Sequence, residues 1–159
     1  MIIEDASLRA CEVIRKLEES WRGQQEISLQ APAEPSLIDA FEKSNRVVLP
    51  PDFLKYFQRA NGFDQAAGYH DEQGFNFWPL EKLERIKDYD GGHYGFDGDV
   101  NYFIFCDYLD FCWAYAINLS SERNDVVLVG TEDSTPKFVS ESFSGFIEAY
   151  LTDDISIYP

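Results

Sequence analysis

The stretch VVLPPDFLKYFQRANGF, residues 47 to 63, sets a strand end, a helix start and a helix stop within a few turns' length of chain. Pro50 and Pro51 lack backbone donors and hold φ at about −65°, so they suit an extended lead-in and the first helical position but no helix interior. Phe53, Leu54 and Phe57 recur at helical spacing with Lys55, Gln58 and Arg59 between them, which predicts a helix beginning at the prolines. Asn61-Gly62 can take the left-handed conformation that closes a helix, giving about two to three turns.

Toward the N-terminus, Ala10, Ile14, Leu17 and Trp21 fall at spacings of four, three and four with Val13 beside them, while Arg15, Lys16, Glu18 and Glu19 take the other side. That is an amphipathic helix, with Asp5 or Ser7 as its cap and Gly23 as its end. Gln24 to Pro35 reads as a polar connection, and a second short helix from about Pro35 to Ser44 puts Leu37, Ile38 and Phe41 on one side.

After Gly62 the period shortens and apolar runs alternate with turn residues, which signals a sheet. Phe75 to Trp78 is one strand, followed by Pro79 and a helical turn through Leu80, Leu83 and Ile86. Residues 88 to 99, DYDGGHYGFDGD, form an acidic glycine loop. Tyr102 to Cys106 and Cys112 to Asn118 make a hairpin in which Trp113, Tyr115 and Ile117 face one way and Cys112, Ala114 and Ala116 the other. The small face is suited to close approach by a helix. Val126 to Val129 and Phe138 to Ser140 form a second hairpin around Glu132, Asp133 and Pro136, before a last helix capped by Ser142 or Ser144 with Phe146, Ile147, Tyr150 and Leu151 on its apolar side. Helices at both ends and an antiparallel sheet between them predict an α+β single domain over 1–159.

Leu49-Pro50, the aromatic short helix and Asn61-Gly62 resemble the signature of the SUKH superfamily, which takes in fungal Smi/Knr cell-wall regulators and many bacterial immunity proteins that neutralise secreted toxins. The later segments follow in the family's order: FNFWPLEKL at 75 to 83, YFIFCDYLDFCWAYAINL at 102 to 119 and VSESFSGFIEAYL at 139 to 151. The resemblance is strongest over 37–151. It implies a SUKH-like fold and a non-enzymatic, protein-binding role, with Leu49, Pro50, Phe57, Asn61 and Gly62 matching the motif and assigned here to folding.

Charge is distributed unevenly. Residues 1 to 60 hold ten acids and eight bases, a net of −2, and residues 61 to 159 hold nineteen acids and five bases, a net of −14. Proteins that bind nucleic acid neutralise phosphates with Lys and Arg, so direct nucleic-acid binding is disfavoured and a basic protein partner is favoured. No apolar run approaches the roughly 20 residues that cross a bilayer, and no membrane association is expected. Acids stand where a signal peptide carries its basic region. Three cysteines, Cys11, Cys106 and Cys112, have no metal or disulfide spacing and read as small core residues in a reduced, cytoplasmic setting. Asn118-Leu119-Ser120 matches a glycosylation sequon by accident in that setting.

Tests for chemistry are mostly negative. The run Asp97-Gly98-Asp99-Val100-Asn101 starts like a calcium loop but places Tyr102 and Tyr108 where glycine and a bidentate Glu belong. His70 and His93 have neighbouring acids but no metal-ligand spacing, and there is no HExxH, GxSxG, Walker or dinucleotide pattern. Asp107 and Asp110 flank a hairpin turn, where Asp is favoured by local hydrogen bonds; exposure to a partner is the functional alternative. Tyr69, Tyr89, Tyr94 and Phe96 lie in polar, glycine-rich surroundings suited to an interface. The resulting expectation is an immunity protein that binds a basic, nuclease-like toxin domain through Tyr89, Asp90, Tyr94, Phe96, Asp97, Asp99, Asp107 and Asp110, with no cofactor and no metal. The alternatives are a regulatory scaffold of the Smi/Knr type and a metal-assisted hydrolase using Asp97, Asp99 and His93.

Overall fold

Why Asn and Gly follow the helix of the opening stretch is answered by what they touch. The computed structural model describes residues 2–66, 70–131 and 135–159. Tyr69 and the predicted turn at Glu132 and Asp133 lie outside the described residues. The helices are α1 (Ile2–Arg22), α2 (Pro35–Asn45), α3 (Pro51–Arg59) and α4 (Phe143–Leu151), and the strands are β1 (Phe75–Phe77), β2 (Glu84–Arg85), β3 (Tyr102–Tyr108), β4 (Trp113–Asn118), β5 (Val126–Val129) and β6 (Lys137–Ser140).

Pro50 is extended and Pro51 opens α3, as the missing donors require. The helix does not close on a left-handed Asn-Gly, however. Ala60 is already extended, at φ −158°, and the next two residues turn toward the sheet. Asn61 Oδ1 accepts from the Leu80 amide at 2.7 Å and its Nδ2 donates to Glu81 at 2.8 Å. Gly62 has φ +68°, and a Cβ there would meet the backbone of Trp78 at 2.7 Å. The Asn-Gly pair thus joins the end of α3 to the segment after β1, where Phe63 donates to the Phe77 carbonyl at 2.9 Å.

Described strands form one antiparallel sheet in the order β1-β3-β4-β5-β6, with β2 pairing β3 beside β1. Residues Glu84–Arg85 are therefore strand, and Ile86 follows them instead of completing a helical turn; the turn after Pro79 is limited to Leu80–Lys82. The β3–β4 hairpin is longer on its first side than expected, because β3 runs to Tyr108, and Cys112 belongs to the turn.

The sheet has two different faces. Phe75, Phe77, Phe105 and Tyr115 meet α1, α3 and α4 through Trp21, Phe53, Phe143, Phe146 and Tyr150, a core in which each buried aromatic contributes roughly 1.5–3 kcal/mol. The large face of β4 fills the core, one of the two uses its residues suggest, and the helices pack there and not on the small face. The reason is volume: Tyr115 reaches across to donate to the Ile157 carbonyl at 2.6 Å, and the ring of Phe146 fills the space beside it at 5.0 Å. Ala114 and Ala116 face away from the helices yet are fully buried, so this side of the sheet is covered by something other than the helices.

Three other local expectations resolve in detail. Helix α1 starts at Ile2, before either candidate cap, and ends at Arg22 just ahead of Gly23. Ser142 caps α4, accepting from Gly145 N at 3.0 Å. Cys106 is buried, but Cys11 and Cys112 are exposed and are not core residues.

At the far end of the sheet Asp125 is buried and accepts from Tyr102 Oη at 2.6 Å and from Arg123 at 2.8 Å. Burial pushes its carboxyl up, but the hydrogen bonds from Arg123 and Tyr102 outweigh burial and hold it below the usual carboxylate range. Such a group stabilises the fold above its unfolded value of about 3.9, and its contribution fades as pH falls through the lower folded value. Two outcomes follow for urea unfolding. Asp125→Ala lowers stability by about 1–3 kcal/mol at pH 7, and its deficit relative to wild type narrows at pH 3. Gly62→Ala is more severe, since a left-handed Ala costs about 1–2 kcal/mol before its clash with the Trp78 backbone is counted.

Candidate functional site

The uncovered side of the sheet is organised by a carboxylate. Asn76 lies opposite Asp107 in the β1–β3 register, and Asp107 lies opposite Ala114 in β3–β4. Asp107 is only 4% exposed. Oδ2 accepts from Trp78 Nε1 at 2.6 Å and from Asn76 Nδ2 at 3.0 Å, and Oδ1 accepts from the Phe111 amide at 3.3 Å. A buried charge needs such donors, because its desolvation is otherwise prohibitive. Asn76 is held in turn by Gln65, which exchanges two hydrogen bonds with it at 2.8 and 2.9 Å.

The turn that follows is strained. Leu109, Asp110 and Phe111 have φ of 44°, 53° and 70°, three successive left-handed residues with no glycine among them. Each such residue costs roughly 1–2 kcal/mol, least for Asp. The strain is offset by the Phe111 amide on Asp107, by Cys112 N on the Tyr108 carbonyl at 2.8 Å and by Leu109 N on the Gly74 carbonyl at 3.0 Å. Its effect is to turn the Phe111 ring back over the sheet, where it stacks parallel on Tyr89 at 4.8 Å and lies 5.9 Å from Trp78.

Tyr94 completes this layer, 5.9 Å from Tyr89 and 5.3 Å from Phe111. Tyr89, Tyr94, Phe111 and Trp78 form one aromatic layer on this side of the sheet, and the first three stay half exposed. An open depression of about 370 Å³ lies beside them, lined by Gln65, Asn76, Lys82, Asp107 and Asp110 as well as three of the rings. Lys82 Nζ sits 4.3 Å from the centroid of the Trp78 ring and donates to Gln65 Oε1 at 3.0 Å. Burial pushes the Tyr89 hydroxyl up, and Tyr94, Asp107, Asp90 and Glu84 push it further in the same direction.

Four of the eight expected site residues therefore gather here: Tyr89, Tyr94, Asp107 and Asp110. Asp107 is a correction, since it is an interior hydrogen-bond hub and not a displayed loop-tip acid; the cause is that β3 extends past Cys106 and carries it into the sheet. Asp90 is exposed on the adjoining turn. Phe96 packs on Tyr102 at 5.2 Å, and Asp99 Oδ2 accepts from the Phe96 amide at 3.2 Å, so these two stabilise the far end of the loop. Asp97 is exposed there. Among the described residues, no three His, Cys, Asp or Glu side chains converge as a metal-binding group, and Asp97, Asp99 and His93 are not brought together as one.

A model of the SMI1 / KNR4 family (SUKH-1) matches residues 32–149. The chain belongs to this family. No curated protein matches the sequence. The SUKH match begins after α1 and contains both the Asn61-Gly62 junction and the whole aromatic depression. None of the described helices is long and apolar enough to cross a membrane.

Within this SUKH domain the sequence reading missed Trp78, Lys82, Phe111, Asn76 and Gln65. A usable signal existed for one of them. Asn76 is a lone amide in an F-N-F strand and Asp107 a lone acid in YFIFCDY, and paired interior polar residues on neighbouring strands point to each other. Nothing in the residue types announces the left-handed turn, because Leu and Phe are poor choices for it. Leu109→Gly tests that strain: although it removes an apolar side chain, relief of φ 44° leaves the variant equal to or more stable than wild type, by up to about 1 kcal/mol. Thermal unfolding checks this, and a large loss of stability would refute it.

Proposed function

We propose that this SUKH domain is a non-enzymatic immunity protein that works in the cytoplasm by binding a basic toxin domain and occluding it. The observation that carries the reading is a half-buried aromatic layer set in an excess of negative charge. Tyr89, Tyr94 and Phe111 supply rigid apolar area of the kind that anchors interfaces. Asp88, Asp90 and Asp110 near them and Asp97 at the far end of the same loop are exposed, and the part of the chain that carries them has a net charge of −14.

Two stages of binding follow from this layout. A concentrated field of one sign draws a basic partner in and raises its association rate by roughly 10- to 1,000-fold, with strong dependence on salt. Short-range affinity then comes from burying the rings, which are already ordered by their packing on the sheet and so lose little freedom on binding. Family membership supports a binding role, and the absence of a recognisable catalytic pattern in the sequence is in keeping with it.

The test is co-expression with a toxin domain encoded beside this chain. Growth should be protected, and the purified pair should form a complex that inhibits the toxin. The triple variant Asp90→Asn, Asp97→Asn, Asp110→Asn is expected to associate about tenfold more slowly at low salt, with a difference that shrinks as ionic strength screens the field. Binding that leaves the partner active would favour a regulatory scaffold, and association indifferent to both salt and the triple variant would defeat the electrostatic mechanism.

A further inference from the structure

We propose that the depression beside Trp78 is a receptor for an arginine side chain of the protein partner, and that Lys82 occupies the same ground while the protein is free. This rests on the reading of the chain as a protein-binding domain and specifies the chemistry by which the partner is recognised.

The chain itself shows that the place accepts a cation. Lys82 Nζ lies over the Trp78 indole at 4.3 Å from its centroid, the arrangement in which a ring quadrupole attracts positive charge. The polar chain beneath it runs from Lys82 to Gln65, to Asn76 and to Asp107. Two acids, Asp107 and Asp110, and one lysine line the depression, so it keeps an excess of negative charge with Lys82 in place. Partial burial of the amine lowers it below its ordinary value, and the attraction of Asp107 only partly opposes the effect. The residue is exposed, and its flexible four-carbon stem lets the ammonium swing away.

Arginine suits the vacated surface better than lysine does. The Trp78 indole that Lys82 now covers is the flat aromatic face on which a guanidinium stacks, and the stacked Tyr89–Phe111 pair walls it on one side. Asp110 stands at the rim with its side chain 70% exposed and its carboxylate 3.5 Å from His70 Nε2, where it can receive a planar pair of N–H donors. Asp107 contributes charge at short range while its oxygens remain engaged by Asn76, Trp78 and Phe111. The left-handed turn fixes Asp110 and Phe111 side by side, which gives the strained backbone a purpose in recognition.

The experiment is a titration of ¹⁵N-labelled full-length protein with Nα-acetyl-argininamide, followed at the Trp78 indole N–H and the Phe111 amide, with the citrulline and lysine amides as neutral and ammonium controls. Saturating shifts with the arginine amide and none with the citrulline amide are expected. Lys82→Ala should tighten binding by roughly threefold by removing the competitor, and Asp110→Asn should weaken it by roughly threefold, the scale of one partly exposed charge pair. Equal binding of the lysine amide, or no tightening in Lys82→Ala, would overturn the proposal, as would shifts no larger than those of citrulline. The titration contains no toxin, so a negative result alongside intact neutralisation removes the arginine receptor alone. A positive titration without neutralisation keeps the receptor and removes the immunity reading.

Discussion

The carboxylate of Asp107 is the constraint on which the second face of this molecule depends. A charge buried in a strand must be met by donors, and the three it finds come from separate places: the amide of Asn76 in β1, the indole of Trp78 beyond it and the backbone of Phe111 in the hairpin turn. One side chain thereby sets the register of an edge strand, the orientation of the ring that cradles Lys82 and the direction of a turn. Remove it and three buried donors lose their partner at once, with a penalty of about 1–3 kcal/mol for each that finds no other. The aromatic layer is therefore positioned by a polar hub, although its stability comes from packing.

That layer exists because a sheet with two apolar faces has helices on only one. Helices α1, α3 and α4 pack against the large side chains of β1, β3 and β4, and leave Ala114 and Ala116 to be covered by polypeptide without regular structure. Irregular backbone covers a sheet only if its polar groups are satisfied and its rings are large, which accounts for the tyrosines and the short hydrogen-bonded turns between residues 88 and 101. The same economy leaves one side of each ring in water. A cover made of loops is half exposed by construction, and this makes it available to a partner.

The fold was legible where periodicity carried it, and illegible where long-range contacts decided. Pro51 as a first helical residue, Pro35 likewise, the end of α1 before Gly23 and the β3–β4 hairpin all follow from local chemistry. Asn61-Gly62 was read as a helix terminator because that is its commonest local use; its actual partners, Leu80, Glu81 and the Trp78 backbone, stand some 20 residues away in sequence. The face on which helices pack was likewise decided by Tyr115 and Phe146 meeting across the core, which alternation within one strand does not reveal. At the site, tyrosines in a glycine-rich loop were readable as interface candidates, whereas Trp78 and Phe111 looked like ordinary core aromatics. Their geometry depends on a backbone conformation that no residue type there favours.

Charge pairing explains why the acidic character of the chain is concentrated on this face. In the helical part, bases are taken up locally: Arg15 by Glu12 and Glu19, Arg22 and Arg59 by Glu18, Lys43 by Asp39 and Arg9 by Glu148. Such exposed pairs add little stability, typically below about 1 kcal/mol each, but at distances beyond a Debye length they cancel. What remains for an approaching molecule is the field of the excess acids in residues 61 to 159, Asp88, Asp90 and Asp110 among them near Tyr89 and Phe111. Within that field Lys82 is held over Trp78 by contacts that a better-fitting cation could replace. In the recognition proposed above, a long-range attraction that is general for basic proteins is combined with a short-range seat selective for the shape of one side chain, and discrimination between partners would reside in the second of these.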